Sequence, residues 1–379
     1  MTRLATLCAL LVTSALFASA AVRSDEDDLR RLTVHEWGTL TAIAGEDGQP
    51  VRWLPLGGPN DLPCFVERAP NVPEKSTLWA TVRMETPVLY FYAPGEMKVD
   101  VDVRFPLGLM TEHFPAARVR GGSIGWAGVR VAPGAAAGFP VEPGPSHYYA
   151  ARATDAAPVR VGSQTERFLF YRGVGSFPLP VSATTDANEN VTVANLTPQP
   201  IGQVVLFENR RGTLAYRLVD LGIGAETVVR PSPGATLSAL TAELERMLMG
   251  RGLFPKEAAA MVATWSDSWF EEGTRLFYVV TQDAVDAILP LRVTPRPAHT
   301  VRVFVGRLEV ITPSLLQDVE SAVRANDRHA LARHARFLHP IADRIAARSV
   351  SADRNVIHER IRTATASFSV DASASACAR

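Results

Sequence analysis

The chain has 379 residues, with 39 Lys plus Arg balanced by 39 Asp plus Glu, so its formal net charge is zero. That balance gives no electrostatic reason to expect nucleic acid or an anionic membrane as partner. A composition 47% hydrophobic and 21% charged is that of a globular chain, long enough to bury a large core and to divide into two domains.

The chain opens as a secretory signal would. Arg3 supplies a positive start, residues 4–17 are almost unbroken apolar, and Ala18-Ser19-Ala20 has the small-x-small form of a cleavage site. The apolar run is shorter than the ~18 residues of a spanning helix. The acidic run Asp25-Glu26-Asp27-Asp28 comes after it, so no positive stop-transfer flank is present. We expect a signal peptide over residues 1–20, an exported mature chain (periplasmic or extracellular) and no transmembrane segment after cleavage; an uncleaved N-terminal anchor is the alternative. Cleavage removes Cys8 and leaves Cys64 and Cys377. Export permits a disulfide between them, although Cys377 lies in a Ser/Ala-rich tail. Arginine carries nearly all the positive charge beside three lysines, Lys75, Lys98 and Lys256, a usage that fits a bacterial genome rich in GC.

Residues 21–230 alternate strand patterns with Gly, Pro and Asn punctuation and are expected to form a β-rich, sandwich-like domain. Val88 to Tyr92 is apolar throughout, as a strand covered on both faces would be. The turn residues Ala93-Pro94-Gly95-Glu96 come next. The return strand then alternates, with Val99, Val101, Val103 and Phe105 inward and Lys98, Asp100, Asp102 and Arg104 outward. We expect these two strands to form a hairpin. Segments 180–186 and 190–196 read as a second hairpin, and 203–208 with 213–219 as a third. After Pro231-Ser232-Pro233-Gly234 the pattern changes. Helices are expected over 236–249 and from Pro255 to about Glu272, strands over 275–280 and 300–311, and two helices within 313–347. The fold class is therefore α+β, with the β-rich region succeeded by an α+β region over 235–365 and a disordered tail over 366–379.

His35-Glu36, in the string Val34-His35-Glu36-Trp37-Gly38-Thr39, is the most distinctive candidate for chemistry. In a regular strand His35 and Trp37 share one face, while Glu36 points to the other with Val34. A buried Glu36 needs a partner such as an arginine, or it has a function. Glu112-His113 is a second such pair, and Glu85 precedes the apolar strand. Convergence of these residues would make a His/carboxylate site, with His35, Glu112 and His113 as metal ligands and Glu36 and Glu85 as catalytic carboxylates. No His-Glu-x-x-His or Cys-x-x-Cys string supports it, and no cofactor can be named. Gly121-Gly122-Ser123-Ile124-Gly125 has the letters of a nucleophile elbow. The residues after it, from Trp126 to Gly134, cannot form a helix, so the string reads as a Gly-rich loop. Trp265 and Trp269 lie four apart on a helix, a stripe used more often for packing than for binding a sugar.

Four strings carry a resemblance: His35-Glu36-Trp37-Gly38-Thr39, the segment from Met84-Glu85-Thr86-Pro87 to Tyr92, the segment from Thr264-Trp265 to Glu272-Gly273, and Val305-Gly306-Arg307-Leu308-Glu309. Together the chain resembles a group of exported bacterial proteins of uncharacterised function. The resemblance implies one shared fold and export; it carries over no catalytic residue. Two function classes are expected. The first is a periplasmic or cell-surface binding or structural protein whose partner is a cell-envelope polymer or a protein. The second is an exported metal- or carboxylate-dependent enzyme with its site near His35, Glu36, Glu85 and His113.

Overall fold

The structure is a computed structural model, and it describes residues 31–373 apart from 58–61, 71, 74–76, 145 and 335–336. The expected signal peptide, Cys8 and Cys377 lie outside the described residues. Cys64 is disulfide-bonded.

A nine-stranded sheet forms the centre. In spatial order it runs β14 (Thr213–Leu221), β13 (Gly202–Arg210), β16 (Gly273–Val280), β18 (His299–Val310), β1 (Thr33–Ile43), β3 (Val82–Tyr92), β10 (Leu169–Gly175), β5 (Gly108–Phe114) and β2 (Glu67–Arg68). β1 and β18 pair in parallel, and every other pair in this sheet is antiparallel. A second sheet orders β17 (Leu291–Thr294), β4 (Met97–Arg104), β7 (Ser123–Val131), β8 (Val159–Val161) and β9 (Gln164–Glu166), with β6 (Arg118–Arg120) also paired to β7. A third contains β11 (Val181–Thr185), β12 (Val191–Asn195) and β15 (Gly224–Val228).

One face of the central sheet, through residues such as Leu40, Leu89, Phe91 and Phe304, packs on valines of the two smaller sheets, among them Val101, Val129 and Val193. This is a sandwich in the sense expected, and the fold class is α+β. The opposite face, with Trp37, Val88, Phe170 and Phe277, is covered by α1 (Leu237–Met249) and α2 (Pro255–Trp269) through Leu244, Met261, Trp265 and Trp269. The tryptophan pair thus serves packing. α3 (Gln282–Ile288) comes after β16. The helices α4 (Pro313–Ala325), α5 (Arg328–Ala332), α6 (Leu338–Arg348) and α7 (Ser351–Ser373) form a further layer around Trp53 and Phe337. Because helices or sheets cover both its faces, β1 is buried at all eleven residues, as central strands of doubly covered sheets are. Among the described residues, no helix is long and apolar enough to cross a membrane.

Three expectations need correction. The strands ending at Tyr92 and beginning at Met97 both form, and the valines of the second point inward, but they do not pair as a hairpin. β3 pairs with β1 and β10, whereas β4 pairs with β17 and β7. The turn at 93–96 is a corner between two packed sheets, and a corner needs the same turn residues as a hairpin. The segment at 231–234 does not divide two separate sheets either, since β16 and β18 from beyond it are inserted between β13 and β1. The described residues of the tail expected to be disordered, 366–373, belong to α7, because a helix already running from Ser351 extends by one hydrogen bond per residue added; residues 374–379 lie outside the described residues. The other two hairpins, β11 with β12 and β13 with β14, pair as the turn residues require.

Candidate functional site

The start of α2 builds the site. Pro255 occupies the first helical position, where its missing N–H costs nothing. Glu257, two residues on, lies in the first turn, where a carboxylate complements the helix dipole. Its Oε2 accepts the backbone N–H of Phe254 at 2.8 Å and lies 2.7 Å from Nδ1 of His35, while Oε1 accepts the hydroxyl of Tyr92 at 2.9 Å. His35 and Tyr92 project from β1 and β3 onto the helix-covered face. Burial, reinforced by the Glu257 charge, pushes the Tyr92 hydroxyl well above its ordinary value, so it stays protonated and donates. A carboxylate on Nδ1 also fixes the His35 ring: in the neutral imidazole the hydrogen sits on Nδ1, and Nε2 is left as an acceptor.

His35 lines a cleft of about 920 Å³. Phe254, 40% exposed, stacks on His35 with ring centres 4.5 Å apart and meets Tyr92 edge-on at 4.9 Å. Small residues, Ala93, Ala135, Ala156 and Ala157, line much of the rest, and Arg31, Arg167 and His299 add cationic or hydrogen-bonding groups. Among the described residues, Asp155 is the one carboxylate lining the cleft, and it is engaged by Lys256 at 2.6 Å. His299 lies opposite Thr33, one alternate position from His35, so the two histidines share this face on adjacent parallel strands.

The other residues expected at a site lie elsewhere. Glu36 faces away from His35, as alternation requires. It accepts the Tyr171 hydroxyl and the Nε of Arg302 at 2.6 Å, and Arg302 also reaches Asp286 at 2.6 Å. Burial would lower Arg302, but the Glu36 charge overcomes it and holds the guanidinium above its usual value. His113 lies on β5, three strand spacings or about 14 Å from β1. Its Nδ1 is 3.4 Å from the Pro115 carbonyl oxygen, and burial lowers its pKa from the ordinary value. The expected metal set of His35, Glu112 and His113 therefore does not assemble, because two of its members share β5 while the third stands three strands away. Among the described residues, no group of three or more His, Cys, Asp or Glu is placed to hold a metal ion.

Glu85 and Glu112 lie in a buried charged band rather than beside His35. Glu85 is 3.2 Å from Arg83, and Glu112 sits in register with Arg172 and Arg68. Segments 35–39, 84–92, 264–273 and 305–309 meet along this band. The β1 and β3 strings bulge against each other: Trp37 pairs with Val88 and Thr39 with Glu85, leaving Gly38 opposite Thr86 and Pro87. A side chain at Gly38 would stand 2.8 Å from Phe304 and 3.2 Å from Pro87. Thr86 takes the uncommon φ of 46°. Arg307, in the β18 string, bridges Glu309 at 2.7 Å and Glu271 at 2.5 Å. Arg275 binds Glu309 at 3.0 Å and donates to the carbonyls of Trp269 and Glu272, closing the end of α2. Its charge thus offsets the unfavourable position of Glu271 and Glu272 at a helix C-terminus. A ladder of this kind specifies which strands lie side by side, since any other order strands a buried charge.

Sequence reasoning missed Glu257, Tyr92 and Phe254. The signal for Glu257 was present, because a glutamate in the first turn after an N-terminal proline commonly reaches back to the capping N–H. Nothing local announced that the same carboxylate would receive His35, 222 residues away in the chain.

No protein-family model matches this chain, and no curated protein matches it. Among solved structures, the Fcho1 Mu homology domain of Danio rerio, with bound Eps15 peptide, aligns at a TM-score of 0.30 and 8% identity, covering 74% of this chain and 96% of that one. A likeness that weak carries no argument, so the functional reading rests on the chain's own geometry.

Proposed function

We propose that the protein is an exported bacterial binding protein that holds a small organic anion bearing an apolar ring in the His35 cleft. The observation that supports this most directly is the cleft's lining. An exposed Phe254 packed on His35, a wall of alanines and two arginines surround about 920 Å³, a volume in the range of small-molecule sites. The alanine wall and Phe254 suit a flat ring, while Arg31 and Arg167 suit a carboxylate or phosphate. Export is supported by the signal-like N-terminus and by the disulfide at Cys64, a bond that persists in oxidising compartments. The scattering of Glu36, Glu85 and His113, each beside an arginine or a backbone carbonyl, favours binding over a convergent catalytic centre.

The test is a thermal-shift screen of small aromatic acids and phosphates against the mature chain and its Phe254→Ala and Arg167→Gln variants. Compounds that raise the melting temperature of the parent, and not of the variants, support the cleft. Compounds that stabilise all three chains equally place binding elsewhere and remove this reading. Mass measurement of protein recovered from the exported fraction checks cleavage after Ala20.

A second reading has one specific observation behind it. Glu257 orients His35 as a carboxylate orients a general base, holding Nδ1 and leaving Nε2 as the ring's second nitrogen in a residue that lines the cleft. In that case the protein is an exported enzyme in which His35 accepts a proton from the bound molecule. Turnover of a retained compound, abolished in His35→Gln while its binding persists, would select this reading.

A further inference from the structure

The chain is neutral overall, yet its arginines are unevenly placed. On the outer face of the six-stranded sheet, β17, β4, β7 and β6 lie side by side, and their register sets two cross-strand rows. One row runs through Arg292, Asp102, Gly125 and Arg118, and the next through Arg104, Ser123 and Arg120. Gly125 and Ser123 project little or nothing from the middle strand, so the surface dips there. The result is a basin of about 500 Å³, floored by small residues and walled by Arg104, Arg118, Arg120 and Arg292. Across three strand spacings the basin is about 14 Å wide.

Its positive charge is in excess. Among the described residues, Asp102 is the single carboxylate lining the basin, and it is held by Arg292 at 2.8 Å. The other outward carboxylate on β4, Asp100, is taken up by the Gly128 N–H at 2.6 Å. A second hollow of about 600 Å³ adjoins the first and shares Pro290, Leu291 and Arg292 with it. It adds Arg296, and there Asp286 is held by Arg302.

We propose that this arginine-walled strip binds an extended anionic polymer through its carboxylate or phosphate groups. Guanidinium groups pair with both in forked geometry. Two adjoining hollows that share a wall fit a chain of repeated anions better than a single small ion. The strip lies on the side of the central sheet opposite α2, so it is separate from the His35 cleft, and either site stands if the other fails. It supplies a place for the cell-envelope polymer expected as a partner.

The experiment uses the mature chain in affinity electrophoresis through gels containing polygalacturonate, polyphosphate or neutral dextran. Arg118→Gln with Arg120→Gln removes half of the wall from exposed positions on a three-residue strand. Arg217→Gln with Arg246→Gln makes the same change of net charge at exposed sites elsewhere. The expected result is retention by a charged polymer and none by dextran. Retention should be about tenfold weaker in the basin variant and close to the parent in the control variant, with a smaller salt dependence only in the former. Which polymer is retained identifies the anionic group. Equal weakening in both variants would show diffuse attraction, and no retention by either polymer would show that the strip holds no such chain; both overturn the proposal. Unchanged melting temperatures confirm that each variant is folded.

Discussion

His35 and Glu36 are adjacent on one strand, and the sheet sends them to opposite fates. His35 faces α2, meets a carboxylate, and lines a cleft. Glu36 faces the second layer of strands, meets Arg302 and Tyr171, and is wholly buried. Both are polar residues on a buried strand, and each has an oppositely charged or hydrogen-bonding partner. The difference lies in what completes each shell. A long-range carboxylate takes one nitrogen of His35 and leaves the other, whereas a tyrosine and an arginine each engage Glu36 from within the core. Burial with complete pairing makes a structural element, and burial with one group left over makes a candidate site.

The largest break in that comparison comes from the Glu36 side. Arg302→Met leaves a carboxylate buried without its charge partner, and we expect a loss of about 3–5 kcal/mol in urea denaturation. Adding Glu36→Leu should restore much of that loss, because an apolar pair of similar volume avoids the desolvation penalty. If the double variant is no more stable than the single one, pairing is not what holds Glu36. A smaller effect is expected on the other face. Glu257→Ala removes the bonds from Phe254, Tyr92 and His35 at once but leaves no buried charge behind, for an expected cost of about 1–3 kcal/mol. The sharper readout is the cleft itself: any ligand retained by the parent should be lost, because the His35 ring is no longer oriented.

The smallest effect concerns acid. Burial depresses the pKa of His113 below its ordinary 6.5. The unfolded chain then takes up a proton that the folded chain resists. Stability is unaffected well above pH 6.5 and declines as pH falls through that value toward the depressed one. His334 and His339 are depressed by burial in the same direction. His113→Gln should flatten part of this acid-side decline, measured by denaturation at about pH 7 and pH 5. An unchanged slope would mean that His113 does not titrate differently on folding.

Much of the local structure was legible in advance. The alternation of Val99, Val101 and Val103, the turns after β11 and β13, and the proline at the start of α2 all act within a few residues, and each formed where expected. The opposed faces of His35 and Glu36 also came from the two-residue period of a strand. The corner at Ala93 was not legible, since the residues that turn a hairpin also turn a chain from one sheet to another. Nor was the inserted position of β16 and β18, because periodicity says which face is buried and not which strand lies alongside.

The sequence by itself determined which segments extend or coil, which faces turn inward, and that Glu36 required a partner; these depend on short-range sterics and on the cost of a bare buried charge. Only the tertiary structure decided that the partner is Arg302, that segments 35–39, 84–92, 264–273 and 305–309 meet in one charged band, and that Glu257 meets His35 across 222 residues. It also decided that four arginines from three strands share a basin. Those outcomes depend on strand order and crossover, which arise when distant surfaces are buried together, and no local pattern encodes them.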